Sequence, residues 1–101
     1  MQPPFDGLRT REERVAVERT VGRGVVVTGA AHGIGAGIAR YLAERGWRVA
    51  CTDADGDALA PVATGTGGIA IQCDVGREAD IERLIAVARA HLGRIDAIVS
   101  N

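Results

Sequence analysis

The sequence predicts an α/β fold, a doubly wound parallel sheet with helices on both faces, and three observations support this. Short apolar segments alternate with amphipathic ones after about residue 24, which is typical of parallel sheets built from βαβ units. The first apolar segment runs directly into a glycine-rich turn that opens a helix, in the sequence VVVTGAAHGIG over residues 25–35. The length of 101 residues allows one small domain with a single core.

Each element follows from its own pattern of apolar residues and breakers. The predicted strands are Gly24–Thr28, Arg48–Thr52, Ile69–Cys73 and Ile95–Ser100. The predicted helices are Gly33 to about Arg45, a short segment around Asp57–Ala63, and a third that carries an apolar stripe of Ile81, Leu84, Ile85, Ala88 and Leu92 and ends at Gly93. A glycine-rich loop is expected over residues 65–68.

The face of the first helix is expected to pack on the sheet. Ile34, Ile38 and Leu42 recur every four residues, as an apolar helical face does, and Gly46 is placed to stop the helix. Residues 1–23 are polar, charged and carry two prolines, so we expect a flexible N-terminal extension, in which a short helix over Arg11–Thr20 is allowed.

The turn after the first strand has the residue types that a dinucleotide site requires. Glycines at positions 29, 33 and 35 let the main chain approach a pyrophosphate without side chains in the way. The helix that begins near Gly33 directs its unpaired N–H groups and its positive dipole end at the phosphates. An acidic residue, Asp53, closes the next strand at the distance that this fingerprint demands. The alternative is a tight βα turn without a ligand.

The motif resembles the cofactor signature of the short-chain dehydrogenase/reductase family. The resemblance is carried by TGxxxGxG at residues 28–35, by Asp53, by CDV at residues 73–75, and by IVSN at residues 98–101, in which Ser100 replaces the first Asn of the family's element. It implies a Rossmann-type sheet with strand order 3-2-1-4, strand four at an edge, and residues 24–101 as a truncated NAD-binding domain. The family transfers hydride between a nicotinamide and an alcohol/carbonyl pair.

The chain does not contain the groups with which that family performs its chemistry. It stops before the place of the family's catalytic Ser and Tyr-x-x-x-Lys pair. Tyr41, the one tyrosine, is followed by Glu44 and Arg45 and cannot stand in for that pair. Two functions therefore stay open: the dinucleotide-binding half of an oxidoreductase, inactive alone, or a non-enzymatic truncated or split product that acts at most as a partner-dependent nucleotide-binding module.

The resemblance assigns a role to each candidate residue. Asp53 is expected to bind the adenosine ribose hydroxyls and to repel the extra phosphate of NADP, so NAD is favoured over NADP; alternatively, it caps the turn over residues 53–56. His32 stands where many relatives carry an Arg that meets that phosphate, which also favours NAD. Asp74 and Val75 are expected to hold the adenine, although Asp74 could equally cap the third helix. Asn101 would lie beside the cofactor ribose but is expected to fray as the last residue.

The predicted site thus consists of cofactor-binding residues, without a catalytic residue or a metal ligand. Its members are Gly29, His32, Gly33, Ile34, Gly35, Asp53, Asp74, Val75 and Asn101. A small-molecule substrate is expected only for a full-length form.

Composition argues against other classes of partner. The net charge is -1 and arginines are interleaved with acids, so neither nucleic acid nor an anionic membrane is an expected partner. Cys51 and Cys73 are interpreted as reduced, buried thiols, and no signal peptide or membrane span is recognised, so a cytoplasmic protein is expected. The edge strand, residues 95–100, would be open to association with another chain.

Overall fold

The described part of the chain forms a four-stranded parallel sheet with three helices. A computed structural model describes Thr10 and residues 23–101. The predicted flexible extension over residues 1–23, with its helix over Arg11–Thr20, lies outside the described residues except for Thr10 and Arg23. The strands are β1 (Gly24–Val27), β2 (Arg48–Asp53), β3 (Ile69–Gln72) and β4 (Ala97–Val99), and the helices are α1 (Gly33–Glu44), α2 (Gly56–Thr66) and α3 (Glu78–Leu92).

The strand order is β3-β2-β1-β4, which confirms the predicted topology. All neighbouring strands are parallel, and the central Val26 of β1 pairs with Ala50 on one side and Ile98 on the other. Since the strands are parallel, the turns that follow them gather at one edge of the sheet, where ligands bind in open α/β sheets.

Two hydrophobic cores lie on opposite faces of the sheet, so the expectation of a single core is wrong, because helices cover the sheet on both faces. Helices α1 and α2 cover the face that carries Val25, Val27 and Cys51. Helix α3 covers the other face, where Val26 and Cys73 are buried. Both cysteines are free and buried, and their positions in different cores keep their thiols apart.

The prediction that Ile34 belongs to the buried face of α1 is wrong. Ile34 is 76% exposed, and Ile38 and Leu42 are only partly buried. The buried residues of α1 are the small Gly35, Ala36 and Ala39, because small residues let the helix axis approach the strands closely. Ile34 lies in the first turn of the helix, beyond the cover of the sheet.

Three further predictions need smaller corrections. Ile81, expected in the buried stripe of α3, is 40% exposed. Helix α2 continues through Gly65 to Thr66, and ends where Gly67 adopts a left-handed conformation at φ 70°, so the expected loop is shorter. Strand β4 spans only Ala97–Val99 instead of residues 95–100. In the part of the chain that the structure describes, no helix has the length and apolar character needed to cross a membrane.

Candidate functional site

The carboxyl ends of the strands surround a cavity of about 290 Å³. Of the nine residues predicted for the site, those that line this cavity are Gly29, Asp53, Asp74, Val75 and Asn101. The others, His32, Gly33, Ile34 and Gly35, lie in the adjoining turn and the first turn of α1. The structure therefore brings the candidates together at the carboxyl ends of the strands.

The glycines of the turn are required for two different reasons. Gly29 and Gly33 have φ angles of 61° and 53°, in the left-handed region that favours glycine. At Gly35 the constraint is space, because an added Cβ would overlap the carbonyl oxygen of Gly29 and lie 2.6 Å from Nδ2 of Asn101. A Cβ at Gly33 would meet nothing within 4 Å, so this glycine is needed for its backbone angle and not for packing.

The amino end of α1 is available to an anion. Its N-cap, His32, makes no side-chain capping hydrogen bond, and the first turn carries no acidic residue. The main-chain N–H groups of a first helical turn have no partner within the helix, and the helix dipole adds positive potential there. This end of α1 therefore has the character of a phosphate-binding terminus.

Asp53 joins the glycine-rich turn to the end of β2. Its Oδ2 accepts a hydrogen bond from Ala31 N at 3.0 Å, and its Oδ1 accepts one from Asp55 N at 2.9 Å. The second bond is the turn-capping alternative considered for this residue, whereas the link to Ala31 was not foreseen. Each carboxylate oxygen can accept a further bond, so both roles are compatible with binding of a ribose hydroxyl.

Asp55, which the sequence analysis did not select, connects the site to α2. It is the N-cap of α2, with a hydrogen bond from Ala58 N to Oδ1 at 3.2 Å, and its Oδ2 lies 3.1 Å from Nε2 of His32. The bond from Ala58, and then the contact with His32, lower the pKa of Asp55 below its ordinary 3.8. The signal that could have found Asp55 is its position three residues before Ala58 at the start of a helix.

Asp74 shapes the loop after β3 without being the N-cap of α3. Its Oδ1 accepts from Gly76 N at 2.9 Å, while its own N–H donates to Asp80 Oδ2 at 2.9 Å. The N-cap of α3 is Arg77. The capping alternative for Asp74 is thus wrong, and its contact with an adenine stays a prediction. Val75 is 60% exposed at the rim of the cavity.

Asn101 makes two hydrogen bonds to the end of β1 and the turn after it, and its fraying as the last residue stays a prediction. Its N–H donates to Oγ1 of Thr28 at 3.0 Å, and its Nδ2 donates to Gly29 O at 3.3 Å. The Thr28 hydroxyl in turn donates to Val99 O at 3.3 Å. Thr28 therefore ties the end of β4 to the end of β1.

Sequence reasoning missed three hydroxyl-bearing residues of the cavity wall. Thr28, Thr52 and Ser100 line it together with the predicted residues. The available signal was a polar side chain in the last position of an otherwise apolar strand, where parallel strands place side chains next to a ligand.

The single tyrosine of the sequence does not belong to the candidate site. Tyr41 lies on α1, 54% exposed, with its ring 4.8 Å from the guanidinium of Arg45, and it does not line the cavity. Within residues 23–101, no cluster of three or more His, Cys, Asp or Glu is placed to hold a metal ion.

Known proteins share this sequence and this geometry. The family model described as Enoyl-(Acyl carrier protein) reductase matches residues 29–101. L-fucose dehydrogenase of Oryctolagus cuniculus is 44% identical over 86 residues, which cover 82% of this chain and 30% of that protein. The chain thus spans about 30% of the length of this curated relative.

Solved structures agree with the sequence comparison. A hydroxysteroid dehydrogenase from Escherichia coli superposes with a TM-score of 0.74 at 34% identity, over 79% of this chain and 36% of that one. A 3-ketoacyl-(acyl-carrier-protein) reductase from Brucella melitensis, solved in complex with NADH, gives a TM-score of 0.74 at 29% identity, over 76% of this chain and 32% of that one. Together with the glycine turn, the strand order and Asp53, these matches show that the chain belongs to the short-chain dehydrogenase/reductase family.

Proposed function

We propose that this chain binds NAD through the cavity at the carboxyl ends of its strands. The observation that carries the proposal is the turn after β1: Gly29 lines a cavity of about 290 Å³, and the amino end of α1, which packs on Gly29 through Gly35, has no acidic residue and no side-chain cap. The free backbone N–H groups suit a pyrophosphate, while Asp53 at the end of β2 suits a ribose. Asp74, Val75 and Asn101 complete the proposed cofactor contacts.

The preference for NAD over NADP rests on the charges beside Asp53. Two more carboxylates follow β2, Asp55 at the N-cap of α2 and Asp57 in its first turn, and the side chain of His32 contacts Asp55. A phosphate on the adenosine ribose would approach these negative charges, which disfavours NADP.

Titration of the chain with each dinucleotide tests the proposal. We expect saturable binding of NAD, measured by calorimetry, with an affinity for NADP weaker by about tenfold or more. Asp53→Ala is expected to reduce the ratio of the Kd for NADP to the Kd for NAD. Tighter binding of NADP than of NAD would overturn the preference, and no saturable binding of either would overturn the function.

For the whole protein we propose an oxidoreductase that acts on an alcohol/carbonyl pair. A bound nicotinamide supplies the hydride transfer of this family, and this chain contributes the surface that orients the cofactor. The 101 residues contain no lysine and a single tyrosine, Tyr41, outside the cavity. We therefore expect no turnover from this chain alone, and alcohol oxidation by the purified chain would contradict this assignment.

A partner-dependent nucleotide-binding module is the second candidate, and the open edge of the sheet favours it. Strand β4 is the outer strand next to β1, and its Ile98 is 55% exposed. An exposed apolar edge strand promotes association with another chain. Size-exclusion chromatography discriminates, because a clean monomer over a range of concentrations would argue against a dependence on partners.

A further inference from the structure

Thr52 carries the one polar side chain in the buried set of the residues that the structure describes. It is 1% exposed, and its Oγ1 has no hydrogen-bond partner among those residues. A buried hydroxyl without a partner costs free energy, so native proteins seldom keep one without a reason. Thr52 also lines the cavity in which the proposed cofactor would lie.

Comparison with Thr28 shows that the fold does not use the Thr52 hydroxyl. The register pairs Val27 with Cys51, so the next residues, Thr28 just after β1 and Thr52 near the end of β2, lie on neighbouring chain segments. The Thr28 hydroxyl bonds to Val99 O and Asn101 N and thereby connects two strand ends. The Thr52 hydroxyl makes no equivalent bond, although the main-chain oxygen of Thr52 accepts from Ala30 N at 3.0 Å.

Packing alone would favour a valine at position 52. The side chain points to the same face of β2 as the buried Ala50, toward the core under α3. Valine has the same shape as threonine, prefers strands and has no hydroxyl to satisfy. Rotation about χ1 exchanges the positions of the hydroxyl and the methyl group without a change in the backbone.

We propose that Thr52 is a cofactor-binding residue whose hydroxyl makes its missing hydrogen bond with the adenosine half of the dinucleotide. The inference rests on the proposed function, since it assigns one more contact to the same cavity. The neighbours of Thr52 in the cavity wall, Asp53 and Asp74, are those expected to hold the ribose and the adenine. A hydroxyl can donate or accept, so it can serve a ribose hydroxyl or an adenine nitrogen.

The test compares Thr52→Val with Thr52→Ser in the full 101-residue chain. For Thr52→Val we expect NAD to bind about tenfold more weakly, and AMP to be weakened alike, since both probes carry the adenosine. We expect the unfolding midpoint of the free variant to rise by roughly 4 °C, because an unsatisfied hydroxyl is removed. Thr52→Ser keeps the hydroxyl and should retain NAD affinity within about twofold.

Thr64→Val serves as the matched control. Thr64 lies on the exposed side of α2, where its Oγ1 donates to Ala60 O at 3.0 Å, outside the cavity. The same exchange of hydroxyl for methyl at this position should leave the affinity for NAD unchanged.

The outcomes separate this inference from the function on which it rests. Unchanged NAD affinity in Thr52→Val would overturn the role of Thr52 and leave NAD binding intact. A lower unfolding midpoint of the free variant, or its failure to fold, would show that the hydroxyl has a partner inside the protein and would also overturn the role. If the unchanged chain binds neither NAD nor AMP, the proposed function itself fails and this inference with it.

Discussion

Asp53 and Asp96 occupy opposite ends of the sheet and have the same kind of structural task. Asp53 bonds to Ala31 N and so joins β2 to the turn after β1. Asp96 precedes β4, accepts from Gly24 N at 2.7 Å through Oδ2, and pairs with Arg94 through Oδ1. Both carboxylates tie one strand to its neighbour through main-chain N–H groups. Only Asp53 borders the cavity at the carboxyl ends of the strands.

Glycine shows the same contrast between the two ends. A Cβ at Gly24 would overlap Arg94 O, and one at Gly35 would overlap Gly29 O. At Gly24 the close approach only lets the start of β1 pack against the main chain at Arg94. At Gly35 it also keeps the turn beside the cavity narrow. Aspartate and glycine therefore support the fold at the amino ends of the strands and the candidate site at their carboxyl ends. The two ends differ in that the cavity lies at the carboxyl ends.

The largest effect is expected from Gly35→Ala. The added methyl group has no room against Gly29 O and Asn101, so either the turn or α1 must shift. We expect a loss of about 2–3 kcal/mol in the free energy of unfolding, together with loss of measurable NAD binding. Urea unfolding and NAD titration measure the two effects.

Gly37→Ala is the control for that change. It lies two residues further along α1, and a Cβ there would meet nothing within 4 Å. Alanine in place of an exposed helical glycine should stabilise the chain by about 0.5–1 kcal/mol and leave NAD binding intact. If the two variants behaved alike, the close approach at Gly35 would have no functional meaning.

Asp53→Ala and Asp96→Ala test whether one carboxylate mainly affects NAD binding and the other mainly affects stability. Asp96→Ala leaves Gly24 N–H without its partner, so we expect a lower unfolding midpoint and unchanged affinity for NAD. Asp53→Ala removes a charged acceptor from the cavity wall, and we expect NAD to bind about 10–100-fold more weakly. Weakened NAD binding in a folded Asp96→Ala chain would contradict this division.

The pH dependence of stability compares the two ends again. Hydrogen bonds, first from Gly24 N–H and then from Arg94, hold the pKa of Asp96 below its ordinary value, and Ala58 N–H acts likewise on Asp55. Because these groups bind fewer protons in the folded than in the unfolded state, their stabilisation is complete above the unfolded pKa of about 3.9. It is lost as pH falls through the lower folded pKa values.

Urea unfolding from about pH 5 to pH 2 measures that loss. Asp96→Asn and Asp55→Asn should each reduce the slope of stability against pH in this window, because each removes one group with a lowered folded pKa. An unchanged slope in both variants would contradict the assigned hydrogen bonds.

The family resemblance predicted the strand order, and the glycine motif predicted which turn borders the cavity, but neither predicted the contacts within the cavity wall. The glycine spacing and Asp53 were sufficient to place the turn, because few residue types tolerate those backbone angles and distances. The contact of Asp55 with His32 depends on how β2 and α1 approach each other in space, which no local pattern encodes. Ile34 was misplaced because periodicity ranks large apolar residues as buried, whereas the close approach of α1 selects alanine.

The smallest effect is expected at His32, the N-cap residue of α1. Its side chain is 68% exposed and its contact with Asp55 lies at the surface, where ion pairs contribute little to stability. We therefore expect His32→Ala to change the Kd for NAD by less than about twofold. His32→Arg introduces a permanent positive charge that can form bidentate hydrogen bonds with a phosphate. We therefore expect the Kd for NADP to fall by about threefold and the Kd for NAD to stay unchanged. A large loss of NAD affinity in His32→Ala would instead show that His32 contacts the cofactor directly. Asp53 would then not be the main side chain that binds NAD at this end of the sheet.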